Sequence, residues 1–241
     1  MANGVYIAVA GAQAELRRLD VVSNNLANNN TPGFKKDRVN FKEVLANAFM
    51  DDSKQDKRFV EVAGTHTDMS PGPLRETGNP LDLALLGDGF FKVQTRRGPR
   101  LTRGGTFMQN TQGQLISTEG NLLLGQNDEP IAFPPNGKSP VINGTGKIIV
   151  GKETVGNLAI VEVKDVSQLK KEEAGTFATN PDNIELATNN TQVHQGYIES
   201  GNGDSVRMMI TLVETQRHYD TLHRAIETYK DLDQKVTRIV S

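Results

Sequence analysis

Residues 205–241 read SVRMMITLVETQRHYDTLHRAIETYKDLDQKVTRIVS, 37 consecutive residues without Gly or Pro. Fully helical, such a stretch spans roughly 55 Å. Leu212, Thr215, Tyr219, Leu222, Ile226, Tyr229, Asp233, Val236 and Val240 recur at alternating steps of three and four. A seven-residue repeat sustained over this length predicts a coiled-coil helix rather than a helix lying on a globular core. Thr215 and Asp233 interrupt the seam with polar groups, while Val206, Met209, Ile210 and Val213 add a second apolar row at its start. Ordering so long a segment opposes folding by more than the seam's own burial contributes, so the seam requires a partner.

A second seam lies at the other end of the chain. Val5, Val9, Ala12, Leu16, Leu19, Ser23 and Leu26 step by four and three, and an Asn run followed by Thr31-Pro32-Gly33 stops the pattern. Between the seams the chain changes character. All ten Pro fall between Pro32 and Pro181, and 20 of the 23 Gly fall between Gly64 and Gly203. Short apolar runs at 90–95, 106–108, 114–117, 122–124, 147–150 and 158–163 are separated by Gly, Asn and Pro, which predicts a β-domain. The fold class is therefore α+β: terminal heptad helices that pair as a coiled coil, around a mostly-β centre. The expected divisions are 1–33, the first helix and its Asn-rich end; 34–64, an extended arm or linker; 65–204, the β-domain; and 205–241, the last helix.

Composition narrows the function. The chain has 241 residues, 27 basic against 29 acidic, for a net charge of −2. That lacks the basic excess that coating nucleic acid or anionic lipid demands. Hydrophobic residues make up 36%, and no apolar run is long enough to span a membrane. There is no Cys, which removes disulfides, thiolate metal sites and a Cys nucleophile. The apolar stretch at 5–12 has no preceding basic residue, so it does not read as a secretory signal.

The search for chemistry returns no catalytic, cofactor or metal site. His66, His194, His218 and His223 make no HExxH pattern, and there is no P-loop, nucleophile elbow or EF-hand loop. Gly87-Asp88-Gly89 reads as a turn, and Asn143-Gly144-Thr145 as a hairpin turn before a glycosylation site. Arg96, Arg97, Arg100 and Arg103 lack interleaved aromatics and read first as a solvated loop, with binding to an acidic partner surface as the second reading. Two helical ends bearing unsatisfied seams, with no reaction site between them, describe an assembling structural protein. A β-rich hydrolase and an unrelated coiled-coil adaptor are the competing readings.

The stretch Ser23-Asn24-Asn25-Leu26-Ala27-Asn28-Asn29-Asn30-Thr31-Pro32-Gly33-Phe34-Lys35 resembles the signature of the bacterial flagellar rod, hook and hook-associated axial proteins. In that family an Asn-Asn-Leu-Ala-Asn core leads to Thr-x-Gly-Phe and a basic residue. Residues 80–93, 101–107, 113–115 and Gly120 are similar to the family's β-domain motif, and 195–199 and 216–219 to its C-terminal helix region. One departure stands out: the usual Ser-Asn-Val after the Glu is Gly201-Asn202-Gly203, which is expected to loosen the start of the last helix.

The resemblance implies a structural, non-enzymatic subunit of the flagellar basal-body rod. With one modest β-domain, the chain resembles a proximal rod subunit, with a distal one as the alternative. It implies partners in other copies and other rod proteins, passage through the flagellar type III export apparatus, and a periplasmic location in a helical assembly that serves motility. No nucleic acid, small-molecule substrate or cofactor is implied. Contacts between subunits are expected at Val9, Leu16 and Leu19 of the first helix; at Asn24, Asn25, Leu26, Asn28, Thr31, Gly33 and Phe34 of the signature; and at Leu212, Tyr219, Leu222, Ile226, Tyr229 and Val236 of the last helix.

Overall fold

The computed structural model describes residues 2–46, 57–133, 139–187 and 191–240. By contact the chain falls into two compact units. The first collects residues 1–27, 37–68 and 203–241; the second collects 28–36 and 69–202.

The first unit contains α1 (Ala2–Ala27), β1 (Asp37–Ala46), β2 (Lys57–Thr67) and α2 (Ser205–Val240). The two helices pack on one another, and the antiparallel pair β1–β2 lies against α1. Thus the segment after the signature is strand paired with strand. Heptad spacing brings α1 and α2 together, but the contact is built from small groups. Ala8 and Ala12 are buried on α1, and a Cβ on Gly11 would touch the Leu222 side chain. Thr215, a polar seam residue, is fully buried, and its hydroxyl donates to the Thr211 carbonyl at 2.7 Å. This bond to the preceding turn lets Thr sit in an apolar seam without an unpaired hydroxyl. Asp204 caps α2: its carboxylate accepts from the Val206 and Arg207 amides at 3.0 and 3.2 Å.

The second unit is antiparallel throughout. It runs through β3 (Leu74–Glu76), β4 (Leu83–Leu86), β5 (Phe90–Thr95), β6 (Gly98–Thr102), β7 (Phe107–Gln109), β8 (Leu115–Ser117) and β9 (Leu122–Leu123). It continues with β10 (Pro140–Ile142), β11 (Lys147–Val150), β12 (Glu153–Asn157), β13 (Ile160–Val163), β14 (Lys170–Lys171), β15 (Thr176–Ala178), β16 (Ile184–Leu186), β17 (Gln192–Gln195) and β18 (Tyr197–Glu199). The largest sheet has the order β14-β15-β6-β5-β9-β8-β7, with β13 joining β5 to β16. Smaller sheets pair β10-β11-β12, β17-β4 and β18-β3.

β5 sits at the centre because both its faces are apolar. Phe91 and Val93 point into one cluster with Leu83, Phe107, Leu115 and Leu123, while Phe90 points into another with Leu101, Val161 and Phe177. Phe91 meets Phe107 edge-on at 5.6 Å, and Phe90 meets Phe177 at 5.9 Å, the T-shaped geometry that ring quadrupoles favour. The Arg-rich stretch is not a solvated loop. Residues 98–102 form β6, Arg100 pairs with Glu172 at 2.9 Å, and Arg103 is buried. The reason is that β6 forms a tight hairpin with β5, leaving only Arg96 and Arg97 of the four at the exposed turn. Asn143 does make a hairpin turn, its side chain accepting from the Thr145 and Lys147 amides.

Candidate functional site

The signature region divides at the boundary between the units. In the first unit, Asn25 ends α1 with its amide fully engaged. Its Nδ2 donates to the Asp37 carbonyl at 2.8 Å, and its Oδ1 accepts from the Asp37 amide at 2.9 Å. The side chain thus mimics one rung of a β-ladder and pins the last turn of α1 to the start of β1. Among its neighbours, Asn24 is exposed and Leu26 half-buried.

In the second unit, residues 28–36 form a tight loop. The Thr31 amide donates to the Asn28 carbonyl, and the Phe34 amide to the Thr31 carbonyl. Gly33 has φ 71° and presses on the backbone of Arg103 and Gly104, where any Cβ would overlap. Phe34 is buried, with the Lys171 ammonium 4.1 Å above its ring, and Lys171 also donates to the Lys35 carbonyl.

Lys35 carries the loop into the interior. Its side chain is 1% exposed and its Nζ lies 2.6 Å from Glu199 Oε1, itself on a side chain 2% exposed. The same ammonium donates to the Ser70 carbonyl at 2.8 Å. Glu199 is shared three ways: Oε1 also accepts from the Gly72 amide at 2.8 Å, and Oε2 faces Arg103 at 3.4 Å. Arg103 donates onward to the Gly87 carbonyl at 2.6 Å and stacks over Phe90. Burial pushes the Arg103 guanidinium below its usual range, and Glu199 and Asp88 pull it back up. Two cations thus surround one carboxylate, each with further hydrogen bonds to backbone carbonyls, although Arg103 Nε is buried without a partner. Sequence reasoning missed this clasp. The partners Lys35, Arg103 and Glu199 lie far apart in the chain, and no local pattern joins them.

Of the residues expected to carry subunit contacts, Gly33 and Phe34 are buried within the second unit, and Asn25 within the first. Asn28 and Thr31 are half-buried. On the helices, Val9, Leu19, Leu212, Tyr219, Leu222, Ile226 and Tyr229 are half-buried and Leu16 is exposed; the Val236 side chain lies outside the described residues. The second apolar row of α2 is open: Val206 is 68% exposed, and Met209, Ile210 and Val213 are each 54% exposed. These four lie on the side of α2 opposite Thr215, by the 100° per residue of a helix.

Comparison with known proteins follows the same geometry. The family described as "Flagella basal body rod protein" matches residues 5–35, which are α1 and the loop through Lys35. "Flagellar hook protein FlgE/F/G D1 domain" matches 84–150, and "Flagellar basal body rod FlgEFG protein C-terminal" matches 194–239. The "Flagellar basal-body rod protein FlgF" of Caulobacter vibrioides is 31% identical, covering 97% of this chain and 96% of that protein. The chain belongs to the flagellar basal-body rod family. The rod protein named FlgF in Mesorhizobium japonicum is 28% identical over 91% of the chain and 90% of its own length. The one named FlgG in Bacillus subtilis is 26% identical over 99% of each. As a rod-family member the chain is a structural component of the flagellar basal body. Both ends of the clasp, Lys35 and Glu199, fall within stretches that match rod-family descriptions. No described helix is long and apolar enough to cross a membrane.

Proposed function

We propose that this rod subunit belongs to the proximal part of the rod and polymerises through its terminal helices into a helical drive shaft that carries torque from motor to hook. The observation behind this reading is the open apolar row Val206, Met209, Ile210 and Val213 on a helix whose opposite side is occupied by α1. An apolar row of this kind, on a helix that a single partner leaves half-covered, is what an assembling subunit presents to its neighbours. The subunit contacts are carried by Val9, Leu16, Leu19, Leu212, Tyr219, Leu222, Ile226, Tyr229 and Val236, with Asn24, Leu26, Asn28 and Thr31 beside them. Asn25, Gly33 and Phe34 belong with them, Asn25 by fixing the end of α1 to β1 and Gly33 and Phe34 by shaping the loop at 28–36.

The partners are copies of this chain, other proximal and distal rod proteins, and the flagellar type III export apparatus that delivers it to the periplasm. The protein is not an enzyme. The similarity to FlgF over nearly the whole of both chains favours the proximal rod; the like coverage by FlgG keeps the distal rod as the second reading. Electron microscopy of the concentrated protein tests the polymer: helical filaments are expected, and persistent monomers at high concentration overturn it. Crosslinking in intact basal bodies separates the two rod positions by the neighbours captured.

A further inference from the structure

The chain passes between its two units four times, at 27/28, 36/37, 68/69 and 202/203. All four passages leave the second unit beside one another. Asn202 Oδ1 accepts from the Lys36 amide at 2.9 Å, and its Nδ2 donates to the Ser70 carbonyl and hydroxyl at 3.0 and 3.2 Å. Its backbone amide donates to the Phe34 carbonyl at 3.4 Å, and its carbonyl accepts from Lys36 Nζ at 3.3 Å. The adjacent Gly201 amide donates to the Asn29 carbonyl at 3.2 Å, in a contact so close that a Cβ there would press on that oxygen. One planar amide therefore meets the second and third passages while ending the fourth, and its neighbour holds the first.

We propose that Asn202 is a positioning residue that braces the second unit's ends of the four passages into a single tie, so that they open together and not one by one. The amide suits this task because it offers an acceptor and two donors in one plane, and an acceptor is required at Lys36 while donors are required at Ser70. Gly201 is part of the device, because the absence of a Cβ permits the approach to Asn29. The tie is a property of the isolated subunit, so it stands or falls separately from the rod reading above.

Site-resolved amide exchange on full-length Asn202→Ala and Asn202→Asp tests it. The carboxylate of the Asp variant keeps an acceptor for Lys36 but loses the donors to Ser70. In Asn202→Ala, exchange at Lys36 is expected to rise by about tenfold or more, with Gly72, which Glu199 holds, and core amides such as Leu115 unchanged. In Asn202→Asp, Lys36 is expected to stay protected. Equal loosening of Lys36 in both variants, protection retained at Lys36 in Asn202→Ala, or a general loss that includes the core overturns the proposal.

Discussion

The two units bury different things. The second buries Phe90, Phe91, Phe107, Phe177 and a set of Leu and Ile side chains, and seals its signature loop with a clasp of three charged groups. The first has a helix of 36 residues and one of 26, yet its described buried side chains are small or polar: Ala8, Ala12, Ala14, Asn25 and Thr215. Large apolar groups on its helices, such as Leu222 and Ile226, are only half-covered. Since apolar burial is the main favourable term in folding, the β-sheets of the second unit gain far more of it than the described helix side chains of the first. On the rod reading proposed above, the half-covered helices of the first unit are the part that assembly completes.

The largest effect is expected at the clasp. Glu199→Ala leaves Lys35 and Arg103 as buried cations without their carboxylate, and removing one partner of such a group costs about 3–5 kcal/mol. Thermal or urea unfolding of the β-unit measures this. A shift below about 1 kcal/mol, the level of a surface pair, would place the clasp in effective contact with solvent and erase the contrast between the units.

The next effect falls on assembly and spares the fold. Leu222→Asp or Ile226→Asp puts a charge into a half-covered seam. The β-unit is expected to melt as in the wild type, while the packing of α2 on α1, and with it polymerisation and incorporation into rods, is lost, because the charge would be set against the apolar face of α1. Hydrogen exchange in dilute monomer gives the complementary measurement, with α1 and α2 exchanging much faster than β5 and β8. Strong protection of both helices in verified monomer would show that the first unit is as finished as the second.

Much of this contrast is legible in the sequence, for a physical reason. Periodicity is local, so the terminal helices and strands such as β5 and β11 follow from spacing and turn residues alone. The signature at 23–35 also reads directly, because its matching residues are consecutive. What the sequence does not display is what those residues touch. Asn25 and Phe34 read in the sequence as contacts to other subunits; what it does not display is that Asp37 is bonded to both ends of the Asn25 amide and that Lys171 lies over the Phe34 ring. The Lys35–Glu199 pair is separated by 164 positions, and only the packed sheets bring it together. Likewise, Gly201-Asn202-Gly203 suggests a loose start to the last helix. In the structure Asn202 is held by hydrogen bonds with Phe34, Lys36 and Ser70, and the cap at Asp204 completes the first turn.

A smaller effect is expected at that cap. Asp204→Ala removes the acceptor for the first amides of α2, and lost caps cost about 0.5–2 kcal/mol. In the monomer the change is expected in the helicity of the first unit, read by circular dichroism, with the β-unit's melting unmoved. A fall in β-unit melting of the same size would mean that the units unfold as one, and would break the comparison at its root.

The smallest effect separates exposed carboxylates from the buried clasp by their response to pH. Asp165 lies on the surface of the second unit, where its carboxylate accepts from the Ser167 hydroxyl at 2.6 Å, the Gln168 amide group at 3.0 Å and the Ser167 backbone amide at 2.9 Å. These bonds, the Ser167 side chain first, hold its acid below the ordinary 3.8. Glu172 is likewise lowered, chiefly by its bond to Arg100. A carboxyl depressed in the folded state binds its proton more weakly there than in the unfolded chain. Its contribution is therefore complete above the ordinary value and fades as pH falls through the depressed one. The melting difference between wild type and Asp165→Ala is expected to be small and constant near neutral pH, and to shrink toward zero as the solution is acidified below about pH 3.8. The matching difference for Arg100→Ala, which removes the partner of Glu172, is expected to follow the same course. If instead either difference grows on acidification, the charged form is not the one the fold favours, and the hydrogen bonds seen at that carboxylate do not govern its proton.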